Sequence, residues 1–85
     1  MYPHYTDRCH ALGYECWARL MSAAVHDFSC DCLDLIVVYD RIRGRWIVLA
    51  HSGDRWTIRP VSGPAQGRRL CERLLGPVEM VYDPR

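Results

Sequence analysis

Lysine and asparagine are missing from this chain, and all eleven of its basic residues are arginine. Arginine suits bidentate recognition of phosphate and carboxylate. Yet the joint loss of lysine and asparagine is also what a GC-rich coding sequence produces, so this absence does not by itself assign a partner. Long apolar runs are absent too: the longest, Leu35 to Tyr39 and Trp46 to Ala50, fall far short of the roughly 20 residues a membrane-crossing helix requires. Met1-Tyr2-Pro3-His4 has neither the basic start nor the apolar stretch of a secretory leader, which makes the cytoplasm the expected compartment. A phosphate-cradling glycine loop, a helical H-E-x-x-H and a calcium loop are all lacking, and with them the commonest signatures of nucleotide, zinc-peptidase and calcium-sensor chemistry.

What is present reads as one small folded unit. At 85 residues, with 49% hydrophobic and 25% charged side chains, the chain can build one core and lies outside the composition of disordered proteins. Five cysteines (Cys9, Cys16, Cys30, Cys32, Cys71) are an odd number, so they cannot all pair within the chain and are expected to be reduced thiols. Cys9, Cys16 and Cys71 fall beside leucines at helical spacing and read as small core hydrophobes.

The order of elements follows from periodicity and punctuation. Cys9, Leu12, Cys16, Leu20 and Ala23 or Ala24 recur at three- and four-residue steps, predicting an amphipathic helix from about Asp7 to His26 that Thr6 or Asp7 caps and Gly13 weakens slightly. Strands are expected at Leu33 to Asp40, Arg45 to His51 and Arg55 to Val61, joined by a loop ending at Gly44 and by the turn Ser52-Gly53-Asp54. Such short connections make an antiparallel meander. Pro60 cannot donate to a ladder, which places the third strand at an edge or ends it there. Ser62-Gly63 followed by Pro64 opens a second helix, Gly76-Pro77 closes it at Leu75, and Val78 to Tyr82 can form a last strand. The expected fold is α+β, in the order α-β-β-β-α-β, a three-stranded meander with two helices and room for a fourth strand. On the second strand Ile47 and Leu49 point one way and Trp46, Val48 and Ala50 the other, so both faces are apolar. Either the helices cover opposite faces, or they share one and a second copy or a partner covers the other.

Chemistry finds few footholds. Cys9, Cys16, Cys30 and Cys32 with His10 or His26 are zinc-type ligands, but one C-x-C and two thiols seven apart are poor metal spacing. Cys30 or Cys32 could act with His26 or His51, but Asp27, Asp31 and Asp34 disfavour a thiolate there. His51-Ser52-Gly53-Asp54 has the letters of a hydrolase triad in too tight a turn for them to converge. No cofactor and no catalytic activity are expected.

Charge is more telling. Residues 1–40 carry two arginines and six acids, residues 41–85 nine arginines and four acids. Arg41, Arg43 and Arg45 alternate along the first hairpin, Arg55 and Arg59 share one side of the next strand, and Arg68, Arg69 and Arg73 line the second helix. These eight are the candidate partner-binding residues. Internal pairing with the acids of residues 27–40, and Arg68 with Glu72 along the helix, is the competing use for them. Trp46 and Trp56 fall on strand faces with Val48 and Ile58 and read as core. The leading expectation is a non-enzymatic protein-binding module, a regulator or inhibitor of the kind mobile elements and phages carry, which covers a partner's surface and can itself pair as a homodimer. The alternative is a nucleic-acid binder using the arginine hairpin and second helix, against which stands a pI near 7.7. A zinc-binding or thiol-dependent protein is a weaker third.

Overall fold

The computed structural model describes residues 3–82, with side chains from 5 to 75. Three helices and four strands follow in the order α1 (Pro3–Ala11), α2 (Trp17–Ala23), β1 (His26–Asp27), β2 (Asp34–Asp40), β3 (Arg45–Ser52), β4 (Arg55–Val61) and α3 (Pro64–Tyr82). The strands form one antiparallel sheet in the order β1-β2-β3-β4. The α+β class and the central meander agree with the sequence. None of the described helices is long and apolar enough to cross a membrane.

The first expected helix is two helices, because Gly13 is a stop rather than a weak interior residue. Its φ of +92° is the left-handed conformation that costs glycine least. The Tyr14 amide donates to Cys9 O and the Gly13 amide to His10 O, the paired bonds of a Schellman termination. A side chain at Gly13 would also place a Cβ 2.7 Å from Arg41 Cβ, so the glycine lets the end of α1 lie against the β2–β3 loop. The Arg41 amide then donates to Leu12 O. Thr6 and Asp7 consequently fall inside α1.

Alternation along β2 and β3 splits the core in two. Ile36, Val38, Ile47 and Leu49 pack with Cys9, Leu12, Tyr14 and Leu20 under α1 and α2. Leu35, Val37 and Val48 pack with Leu70 and Cys71 of α3 on the opposite face. The helices therefore cover opposite faces, and the apolar face that the sequence left open to a second copy is occupied by the chain itself. Gly67 makes this close approach workable: a Cβ there would sit 2.7 Å from Val37 Cγ1 and 3.1 Å from Cγ2.

At its start α3 follows expectation. Gly63 O accepts the first helical bond from Gly67, Pro64 occupies the first helical position, and the Gln66 side chain accepts from the Ser62 amide. Its end differs, because Val78–Tyr82 continues the helix instead of forming a last strand. A short apolar run reads equally well at either period, and β1 already holds the place beside β2. Pro77 costs this helix one amide without ending it.

Candidate functional site

The two edges of the sheet are unlike. Along β2 the outer groups find partners: the Val25 amide donates to Val37 O, Phe28 to Leu35 O, the Tyr14 hydroxyl to Tyr39 O (2.7 Å), and the Leu35 amide to Ser29 Oγ. That side of β2 is largely covered, and the strand that ends the sheet there, β1, is only two residues long. At the other side β4 has no strand neighbour beyond β3 among the described residues. Ser52 and Arg55 close a two-residue hairpin in which Gly53 has φ +60° and Asp54 a negative φ, the pattern of a type II′ turn. Ser52 and Arg55 therefore exchange hydrogen bonds, as do Ala50 with Thr57, Val48 with Arg59 and Trp46 with Val61. Trp56, Ile58 and Pro60 turn their main-chain groups outward. The missing Pro60 donor falls on that outward side, so the proline leaves the inner ladder intact. Arg55, Thr57, Ile58, Arg59 and Pro60 are exposed, and Ile58 keeps 42% of its surface.

The eight candidate arginines separate into two groups. Asp40, at the end of β2, is fully buried and organises the first hairpin: Oδ1 accepts from the Ile42 and Arg43 amides at 3.0 Å each. Its Oδ2 meets Arg43 Nη1 at 3.1 Å and Arg45 Nε at 3.8 Å. Burial alone would push the Asp40 carboxyl up, but the amide and guanidinium of Arg43 and the Ile42 amide outweigh it and hold its pKa below the usual carboxylate range. Arg41 stacks over the Tyr14 ring at 5.2 Å. Arg68 pairs with Glu72 at 3.0 Å. Arg41, Arg43, Arg45 and Arg68 thus each have a partner within the fold while remaining exposed at the surface.

Arg55, Arg59, Arg69 and Arg73 have no ion pair among the described residues. Arg55 and Arg59 project from β4 on the α3 side, since Arg59 lies opposite Val48 of the α3-facing core. Arg68, Arg69 and Glu72 border His26 of β1 in a shallow basin. By helical spacing Gln66 and Arg73 share another flank of α3, a helix that also contacts β4. Arg55 also borders an open depression of about 540 Å³ with Leu33, Ala50, Ser52, Trp56 and Thr57. The arginines without an ion pair thus include four on β4 and α3, whereas in the hairpin, where the arginines are densest in the sequence, Arg43 and Arg45 share the single carboxylate of Asp40.

A polar cluster that the sequence did not single out lies on the α1 side of β3. His51 is buried, and its Nδ1 donates to Asp34 Oδ2 at 2.9 Å. Its Nε2 lies 2.7 Å from the Tyr5 hydroxyl and 2.8 Å from Gly53 O. Trp56 lies against the imidazole at 4.3 Å between ring centres, Trp17 and Tyr5 complete the aromatic wall, and Arg8 sits over Trp56 at 5.2 Å. The register pairs Asp34↔His51 and His51↔Trp56 are the signal that could have found it. Both ring nitrogens are engaged, and Tyr5 lines neither open depression. The cluster ties α1 to the turn end of the sheet. Ser52 alternates to the other face, so the apparent triad does not assemble.

The thiols are likewise dispersed. Cys9 and Cys71 are buried in separate cores; burial, helped by the neighbouring Glu72 charge, pushes the Cys71 thiol up to about 11. Cys16 precedes α2, and Cys30 and Cys32 are exposed on a tight turn closed by the Cys30–Leu33 bridge. Neither Cys30 nor Cys32 is bonded to His26 or His51. Among the described residues no three His, Cys, Asp or Glu side chains converge in a metal-binding arrangement. No protein-family model, curated protein or solved structure matches this chain.

Proposed function

We propose that this protein is a non-enzymatic binding module that docks a protein partner along β4 and the adjoining flank of α3, acting as a regulator that occludes the partner's surface. The observation that supports this reading is β4 itself: an exposed edge strand carrying Arg55 and Arg59 on one side and Ile58 on the other, with no acid paired to either arginine among the described residues. Apolar surface ringed by charge is the composition of a contact surface rather than a reaction centre. His51 is engaged by Asp34, Tyr5 and Gly53 and the buried thiols by the core, while the exposed Cys30 and Cys32 are bonded to neither His26 nor His51.

A photoreactive benzoyl side chain introduced at Thr57 tests this in the source cell, with the same group at Ile42 on the exposed hairpin loop as the control. A polypeptide is expected to crosslink from position 57 and not from position 42, and Arg59→Glu is expected to abolish it. Nucleic acid as the sole crosslinked species, or equal capture from both positions, overturns the reading.

A further inference from the structure

We infer that β4 accepts an additional strand, and that the strand it accepts is an extended segment of another protein in which acidic residues alternate with apolar ones. This rests on the docking surface proposed above and adds to it the mode of binding and the chemistry of the partner.

The main chain supplies the first argument. Trp56 and Ile58 direct amide and carbonyl outward and Pro60 its carbonyl, so the edge offers two donors and three acceptors in line. Among the described residues the other sheet elements offer less: β1, Tyr14 and Ser29 cover much of the β2 edge, β1 is only two residues long, and helices pack on both faces. An unpaired edge is a template for another strand, and proteins blunt edges with prolines, charged side chains or bulges; the charges on β4 are Arg55 and Arg59, which repel a basic strand and match an acidic one. Here the proline sits at the end of the edge and limits its length, while Trp56 and Ile58 remain able to pair.

Side-chain alternation supplies the second. A strand laid against β4 places every second residue on the α3 side, beside Arg55 and Arg59, at the roughly 5 Å separation of cross-strand neighbours. Acidic side chains match that row. The intervening residues fall beside Ile58 and Trp56, where apolar side chains match. The same charges decide against a second copy: two β4 strands paired through Ile58 would bring Arg55 and Arg59 of both chains to one face. Nucleic acid meets the arginines but has no ladder to pair with Trp56 and Ile58.

The test uses the full chain and two short synthetic peptides, one alternating glutamate and valine, the other lysine and valine, followed by amide hydrogen exchange. The acidic peptide is expected to bind and to slow exchange at Trp56 and Ile58 at least about tenfold, leaving Thr57 and Arg59, already paired to β3, unchanged; the basic peptide is expected not to bind. Ile58→Pro removes one outward donor at the phase Pro60 already tolerates, and is expected to weaken binding about tenfold, whereas Ile58→Ala keeps the amide. If Ile58→Pro does not fold, a peptide N-methylated at its pairing positions replaces it and is expected not to bind. Strand addition is overturned if the acidic peptide fails to bind, if it binds without protecting these amides, or if protection in the free protein rises with its own concentration. Crosslinking from Thr57 without amide protection leaves the docking surface standing and removes only the strand, whereas loss of the crosslink removes both.

Discussion

Replacing Asp40 with asparagine isolates the charge at the best-satisfied buried polar group of the fold. The side chain keeps its shape, and an amide oxygen can still accept from Ile42 and Arg43. Hydrogen bonds to an ionised acceptor contribute about 1.5–3 kcal/mol against about 0.5–1.5 for neutral ones, so two weakened bonds cost on the order of 2 kcal/mol. Arg43 and Arg45 add little, because their side chains remain 51% and 43% exposed and such pairs contribute at most about 1 kcal/mol. Asp40→Asn is therefore expected to lower unfolding free energy at pH 7 by about 2 kcal/mol, near 10 °C in melting temperature for a chain of this size. The sign with pH is fixed by the depressed carboxyl. Its contribution is complete above the unfolded-state value near ~4 and disappears as pH falls through the lower folded-state value. Urea titrations of both proteins at pH 7 and below pH 3 measure the gap, which should be wide at pH 7 and narrow in acid. Equal stability at pH 7, or a gap that pH does not change, refutes the assignment of Asp40 as an ionised, buried organiser of the hairpin.

Two further outcomes follow from the packing. Gly67→Ala gains about 1 kcal/mol of helix propensity but forces a methyl into the stiff, fully buried Val37, where overpacking costs about 1–3 kcal/mol; a net loss of about 1 kcal/mol is expected by denaturant titration, and Gly67→Ala with Val37→Ala should recover the contact at the cost of a cavity. With a disulfide reagent at pH 8, Cys30 and Cys32 should react in the first phase, while Cys9 and Cys71 should be protected until the protein is unfolded, read by mass spectrometry of the labelled peptides.

The parts of the fold that were legible in sequence are those fixed by local chemistry. Gly44 and Gly53 marked the two hairpins, Ser62-Gly63-Pro64 marked the start of α3, and alternation in Trp46 to Ala50 announced a sheet with two apolar faces. The misreadings arose where one signal admitted two meanings. Gly13 is tolerable inside a helix or decisive at its end, and only contact with Arg41 and the bonds to Cys9 and His10 select the second. Val78–Tyr82 suits either period, and the occupied β2 edge removes the strand. The candidate arginines are placed by residue type and number in the second half, but Asp40, Tyr14 and Glu72 decide which of them have partners within the fold. Tyr5, His51 and Trp56 meet only through register and the packing of α1, which spacing along the chain does not encode.

Among the described residues β4 is the long unpaired edge of this sheet, the opposite end being the two-residue β1. A strand docked on β4 occupies that edge of this molecule and presents its own outer edge in turn. Filament growth needs two complementary ends, and the hydroxyl of Tyr14 and the short β1 withhold one of them.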